Sequence, residues 1–119
     1  MNQKYKQMKY IFLALFLLPS FLFAQSIEEG KRAIENEKYK EAKQIFFALT
    51  AKSPFNAELW YYLGNVHYIL EQKDSARLVF NKGVSVNPMI ASNYIGIGKI
   101  LLDENKAAEA KANFDVEII

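Results

Sequence analysis

The sequence has no cysteine and contains only three prolines and five glycines among 119 residues. The missing cysteine excludes disulfides, thiolate zinc sites and lipid attachment through an N-terminal cysteine, so the fold must depend on its apolar core alone. The single histidine, His67, has no second histidine to complete a metal site, and no acidic pair stands out as an acid–base couple. We therefore expect no enzyme, no metal and no cofactor, and we interpret His67 as a packed helix residue.

The N-terminal segment has the order of a secretory signal peptide. Three lysines and no acid precede the apolar run of residues 11–23, and Ala24 follows. The run is thirteen residues long, against the ~20 residues that span a bilayer. We expect cleavage near Ala24, a mature domain of residues 25–119 that is secreted or periplasmic, and membrane contact only through the transient segment 1–24. An uncleaved membrane anchor is the alternative.

The charge balance gives no indication of a nucleic-acid partner. Beyond residue 24 the chain has twelve basic and thirteen acidic residues, so the basic excess of the whole sequence belongs to its N-terminal segment. No basic stripe with interleaved aromatic residues is present. Because such a stripe is the electrostatic footprint of DNA- and RNA-binding proteins, we expect no nucleic acid among the partners.

One pattern occurs three times at a spacing of 34 residues. Each copy carries a glycine, then an alanine, then a phenylalanine. The repeated positions are Gly30, Gly64 and Gly98, then Ala42, Ala76 and Ala110, and then Phe46, Phe80 and Phe114. Pro54 and Pro88 have the same spacing. A repeat of this length is typical of stacked helix pairs, each joined by a tight turn.

The repeats also predict details of the helices. In the middle copy, we expect Asn56 to cap the first helix and Asp74 the second, with Leu78 on the buried side. A glycine inside a helix costs about 1 kcal/mol relative to alanine, so three in register predict a close crossing where a Cβ would clash. We expect the repeated alanines across that contact. The last helix is expected over residues 106–119, with Phe114 packed inward.

The pattern resembles the tetratricopeptide repeat (TPR). The residues that carry the resemblance in the middle unit are Trp60, Leu63, Gly64, Ala76, Phe80 and Pro88. It covers residues 25–119 in three units, at about 25–56, 57–90 and 91–119, the last incomplete. The resemblance implies an all-α fold of helix-turn-helix units stacked as a right-handed α-solenoid. It also implies a non-catalytic scaffold that binds a protein or peptide segment in a concave groove lined by the first helix of each unit.

The resemblance directs seven residues toward this groove: Lys31, Tyr61, Asn65, Tyr68, Ile69, Ile95 and Lys99. Tyrosine and asparagine suit a contact surface because they offer a large amphipathic ring and adaptable hydrogen bonds. Some TPR proteins hold a peptide's C-terminal carboxylate with Lys and Asn at the positions of Lys31, Asn65 and Lys99. The match is partial, because Ile27 and Ile95 stand one turn earlier, where that clamp has another cation. Ordinary solvated lysines are the alternative interpretation.

Two functional hypotheses remain open from the sequence. The first is an exported interaction module. The second is a structural fragment or subunit of a larger repeat array or envelope assembly, which self-associates through its C-terminal helix. The second rests on the apolar end of the sequence, since terminal units of repeat arrays need a polar outer face. The sequence does not name the partner.

Overall fold

A computed structural model describes residues 25–116; the expected signal peptide and the last three residues lie outside this range. Within it the chain forms six α-helices in three pairs. In chain order they are α1 (Ile27–Glu35), α2 (Tyr39–Lys52), α3 (Ala57–Ile69), α4 (Lys73–Val86), α5 (Ala91–Asp103) and α6 (Ala107–Phe114). Each helix packs against the next, and α3 also packs directly against α5. The all-α prediction is confirmed.

Polar side chains fix the starts of two first helices. Ser26 Oγ accepts a hydrogen bond from the Glu29 N–H at 3.2 Å, and Asn56 Oδ1 accepts one from the Glu58 N–H at 3.1 Å. Each bond satisfies an amide that a helix start leaves unpaired. The prediction that Asp74 caps α4 is wrong, because Asp74 lies inside the first turn. There its carboxylate is close to the positive end of the helix dipole.

The turn inside each pair is closed by a residue in the left-handed conformation. Glu37, Glu71 and Asn105, 34 residues apart, have φ of 59°, 60° and 61°. At the first of these turns the Lys38 N–H donates to the Ala33 carbonyl at 2.8 Å, which satisfies an acceptor that the end of α1 leaves free. The tight connection predicted within each repeat therefore has one geometry, used three times.

The repeated glycines lie at helix crossings, as predicted, but each faces the repeated phenylalanine. The separations between an ideal Cβ and the nearest ring atom are 2.4 Å for Gly30 and Phe46, 2.6 Å for Gly64 and Phe80, and 2.4 Å for Gly98 and Phe114. Carbon atoms in contact are normally about 3.5–4.0 Å apart, so each ring occupies the space a side chain would need. The alanines expected at this contact are fully buried on the same helices as the phenylalanines.

The three phenylalanines differ in how well they are covered. Phe46 and Phe80 are 0% and 1% exposed, whereas Phe114 on the last described helix is 41% exposed. Phe114 still packs inward against α5, as predicted. The predicted length of this helix is wrong, since it ends at Phe114 with Asp115 as its C-cap. The acidic Asp115 at this end disfavours extension, because negative charge is unfavourable at the C-terminal end of a helix dipole.

The prediction that Leu78 is buried is also wrong, because its side chain is 74% exposed. The buried positions of α4 are Ala76, Phe80 and Gly83. These follow one another at i, i+4 and i+7 and share one side of the helix. Leu78 stands two residues after Ala76, so it points to the opposite side.

Two seams join the three pairs. The first seam lies between α1–α2 and α3–α4, and there the Phe46 ring stacks on Tyr62 with centroids 5.0 Å apart. The second seam lies between α3–α4 and α5–α6, and there Phe80 packs against Gly96, where a Cβ would lie 2.4 Å from the ring. The seams hold the first helices α1, α3 and α5 in sequence, which positions the face described next.

Candidate binding face on the first helices

The first helix of each pair carries three side chains at the spacing i, i+4, i+7. They are Ile27, Lys31 and Ile34 on α1, Tyr61, Asn65 and Tyr68 on α3, and Ile95, Lys99 and Leu102 on α5. Residues at this spacing share one side of a helix, and none of the nine is buried. We call them the first-helix face. It consists of a polar row (Lys31, Asn65, Lys99) between two apolar rows.

Six of the seven residues predicted for the groove belong to this face. The seventh, Ile69, follows Tyr68 on α3 and is half-buried. Exposure increases along the chain: the α1 and α3 members are half-buried, whereas Ile95 and Leu102 on α5 are 42% and 49% exposed. The structure therefore places the predicted residues on the first helices at equivalent positions, and their role in binding stays a prediction.

The sequence-based prediction missed three members of the face: Ile27, Ile34 and Leu102. Ile34 and Leu102 each follow a lysine of the polar row by three residues, as Tyr68 follows Asn65, and Ile27 precedes Lys31 by four, as Ile95 precedes Lys99. Reading the i, i+4, i+7 spacing in all three copies would have identified them.

Lys31 stands at one end of the polar row. Its Nζ lies 5.5 Å from the centre of the Tyr62 ring, within cation–π range, and 3.7 Å from a Glu28 carboxylate oxygen. The Tyr62 side chain, and then Glu28, raise the pKa of Lys31. The Tyr62 hydroxyl donates to Glu58 at 3.3 Å. Lys31 is therefore a charged ammonium at neutral pH, and its ion pair with Glu28 holds it only weakly because the Glu28 side chain is exposed.

Tyr61 is supported by aromatic neighbours. Its ring centroid lies 5.2 Å from that of Tyr62 and 6.3 Å from that of Phe80. Burial raises the pKa of Tyr61, so its hydroxyl stays protonated and can donate a hydrogen bond at neutral pH. A ring held in place by packing loses little freedom when a ligand covers it, which favours a contact role.

Tyr68 stands at the other edge of the face, in a network that joins three helices. Its hydroxyl donates to Asp103 Oδ2 at 2.9 Å, and Lys73 Nζ lies 3.1 Å from the same oxygen. The Tyr68 hydroxyl, and then Lys73, lower the pKa of Asp103, which in turn raises the pKa of both partners. The carboxylate at this edge is therefore neutralised by its neighbours, and the lysines of the polar row remain the cations of the face.

The described part of the chain has neither a candidate metal site nor a candidate membrane span. Among residues 25–116, no group of three or more His, Asp or Glu side chains could hold a metal ion. In the same range no helix has the length and apolar character needed to cross a membrane.

Comparison with known proteins identifies the fold. No protein-family model matches the sequence, and no curated protein sequence matches it. Among solved structures, the type III secretion translocator chaperone SycD of Yersinia enterocolitica superposes with a TM-score of 0.68 at 20% identity, covering 72% of this chain and 65% of SycD. MamA from Desulfovibrio magneticus RS-1 gives 0.67 at 22% identity, covering 73% of this chain and 49% of MamA.

A third similar structure is the first TPR of Spaghetti (RPAP3) bound to the HSP90 peptide SRMEEVD. Its TM-score is 0.68 at 23% identity, with 72% of this chain and 68% of that chain covered. At these identities the similarity shows the fold, and the chain has a TPR-like fold of helix pairs. It spans about half to two thirds of the length of the three structures.

Proposed function

We propose that this chain is an exported, non-catalytic TPR scaffold that binds a segment of another protein in a groove formed by its first helices. The observation that carries the proposal is the first-helix face. Its nine side chains are in register and accessible, while the fully buried residues lie on other sides of the helices. Helical repeat arrays present repeated positions of this kind as binding surfaces.

The similar structures support a peptide or protein as the ligand. The first TPR of Spaghetti (RPAP3) is bound to a peptide, and SycD is a type III secretion translocator chaperone. By analogy, the groove of this chain would be lined by Lys31, Tyr61, Asn65, Tyr68, Ile69, Ile95 and Lys99.

Partner capture from the envelope of the native cell tests the groove. We expect Tyr61→Ala to weaken most partners, and Lys31→Glu and Lys99→Glu to weaken acidic ones in a salt-dependent way. Leu78→Ala is the matched control, because Leu78 is exposed outside the face. Circular dichroism checks that each variant is folded. If all three groove variants capture the same partner as the unchanged protein, the partner does not use this face.

Export is the second part of the proposal and rests on residues 1–24, outside the described range. The short apolar run and Ala24 support cleavage near Ala24 and a secreted or periplasmic location. N-terminal sequencing of the protein from fractionated cells should find a start at or near Gln25. Soluble cytosolic protein that still begins with Met1 would contradict export, and membrane-bound protein that keeps residues 1–24 would indicate an anchor.

A second candidate function is that of a structural subunit. The exposed ring of Phe114 favours it, because the equivalent Phe46 and Phe80 are covered by a following helix pair. A second copy or a further repeat stacked on α6 would cover Phe114 in the same way. Light scattering over a range of concentrations should then show association that Phe114→Glu abolishes. A monomer at every concentration would reject self-association and leave the interaction module.

A further inference from the structure

The most exposed part of the first-helix face lies on α5, where apolar and charged side chains alternate. Ile95 and Leu102 are 42% and 49% exposed, and the exposed Lys99 lies between them on the same side of the helix. Removing apolar surface from water stabilises a complex. A ligand that covers this stripe therefore gains most by placing apolar side chains on both sides of the ammonium.

The central polar row is cationic. Lys99 forms no salt bridge with any residue from 25 to 116, and Lys31 has only the Glu28 carboxylate at 3.7 Å. The nearest carboxylate on α5, Asp103, is already held by Tyr68 and Lys73. A ligand that complements this face therefore carries negative charge along its middle, with apolar contacts on both sides of that charge.

The positions around the two lysines favour single side-chain carboxylates over a terminal one. One turn before Lys31 and Lys99 stand Ile27 and Ile95, which are apolar, so each rung of the row offers one ammonium. Strong capture of a terminal carboxylate uses several donors converging on its two oxygens. Here the two ammonium groups lie on different helices, Lys31 on α1 and Lys99 on α5. An extended chain that crosses the helices would meet them one after the other.

We infer that the first-helix face binds an internal stretch of a partner protein, with acidic side chains flanked on both sides by apolar ones, and does not require a free C-terminus. The inference rests on the proposed function and adds the chemistry of the partner. The acidic side chains meet Lys31 and Lys99. The apolar ones cover the rows that contain Tyr61, Ile95 and Leu102.

Affinity selection from synthetic peptide pools tests the inference with the full chain as the cell processes it. The peptides are about ten residues long, enough at ~3.3 Å per residue to cross helices spaced about 10 Å apart. They are drawn from Leu, Phe, Asp, Lys and Ser. One pool is blocked at both ends, and a second pool keeps a free carboxylate. Mass spectrometry identifies the peptides that are retained.

The expected result is retention of blocked peptides that combine Asp with Leu or Phe, at affinities equal to those with a free C-terminus. Replacing Asp by Asn in a retained peptide should weaken it roughly two- to fivefold. Retention only of peptides with a free carboxylate, or of apolar peptides without Asp, would overturn the inference and leave groove binding in place. Retention of no peptide, or of the same peptides after Ile95→Ser with Leu102→Ser, would instead contradict the proposed function.

Charge reversal gives the sharpest control. Lys99→Glu should exchange the preference for Asp at the central positions of retained peptides for a preference for Lys. Lys82→Glu makes the same change of charge at an exposed site on α4, outside the face, and should leave the selected peptides unchanged. A preference for Asp that survives Lys99→Glu, or that is lost equally in Lys82→Glu, would show that the polar row does not select the charge of the ligand.

Discussion

The two seams join equivalent helices, yet they differ in chemistry at three of their packed positions. At these positions the first seam has large side chains, and the second seam has small or polar ones. The exchanges, each across 34 residues, are Tyr62 for Gly96, Leu59 for Asn93 and Leu49 for Gly83. In the second seam the Asn93 amide packs against Gly83, and its Nδ2 donates to the Ala57 carbonyl at 3.1 Å. Asn93 Oδ1 has no hydrogen-bond partner among residues 25–116.

The edges of the seams differ in the same way. Ile34, Tyr39 and Leu70 pack against the first core as apolar residues. Their equivalents in the second seam are Tyr68, Lys73 and Glu104, which are held by hydrogen bonds and ion pairs. The comparison teaches that the repeated Gly, Ala and Phe residues set the helix crossings. The seam between pairs accepts either chemistry, provided that large and small side chains remain complementary.

The largest expected effect is a difference in stability loss when the repeated phenylalanine is removed from the first or from the last helix pair. Phe46→Ala should lower the free energy of unfolding by about 3–5 kcal/mol, because its ring is fully buried and leaves a cavity. Phe114→Ala should cost less than half as much, since that ring is 41% exposed. Urea unfolding of both variants makes the comparison. Equal losses would mean that Phe114 is as well covered in solution as Phe46.

Exchanging the central residues of the seams should shift stability in opposite directions. Leu59→Asn places an unpaired amide in the apolar first seam and should cost about 2–4 kcal/mol. Asn93→Leu has a similar branched shape and removes a buried oxygen without a partner, while the Ala57 carbonyl keeps its helix bond. It should gain about 1 kcal/mol. Thermal and urea unfolding measure both, and a loss for Asn93→Leu would show that the amide specifically supports the second seam.

Filling the glycine crossings should destabilise the crossing inside the middle pair, at Gly64, and the second seam, at Gly96. Gly64→Leu and Gly96→Leu would each push a side chain into the Phe80 ring, at an expected cost of about 1–3 kcal/mol. On an isolated helix the same change would stabilise by less than about 1 kcal/mol. The sign is therefore decisive: a higher melting temperature for Gly64→Leu would reject the close helix crossing.

The smallest expected effect is a loss of folding stability at low pH that comes from carboxylates in the second seam. The pKa of Asp103 lies below its ordinary 3.8, first through the Tyr68 hydroxyl, and that of Glu104 below 4.5, first through Arg77. Carboxylates with lowered folded-state pKa values stabilise the fold above their ordinary pKa and lose this contribution as pH falls toward the folded values. Urea midpoints should therefore decline between about pH 5 and pH 3.

The double variant Asp103→Asn with Glu104→Gln provides the control for that decline. It should flatten the part of the pH dependence that comes from the second seam. Glu28→Gln changes an exposed acid on α1 and should leave the decline as it is. An unchanged slope in the double variant would show that these two carboxylates are not the source of the acid sensitivity.

The sequence predicted the structural features that the three copies share, but not those that occur in a single copy. The spacing of glycine and phenylalanine was enough to predict helix pairs with close crossings, because a mid-helix glycine is costly unless a neighbour needs its space. The sequence did not reveal that Gly96 serves a contact as well, since this glycine occurs in only one copy. The buried side of α4 was misassigned at Leu78 because α4 has apolar residues on more than one side.

The candidate face was partly predictable for a similar reason. Lys31, Asn65 and Lys99 occupy one repeat position, which a comparison of the copies reveals directly. The Tyr68–Asp103 hydrogen bond was not predictable, because it joins residues 35 positions apart whose approach depends on how α3 and α5 pack. Local sequence does not specify such packing.

Site-specific photo-crosslinking in the native cell tests whether the first-helix face binds a segment of another protein. A photoreactive amino acid replaces Ile95 on the face or, for comparison, the more exposed Leu78 on α4. We expect a discrete adduct with a different protein from position 95 and none from position 78. No adduct from position 95, or the same adduct from both positions, would contradict this expectation.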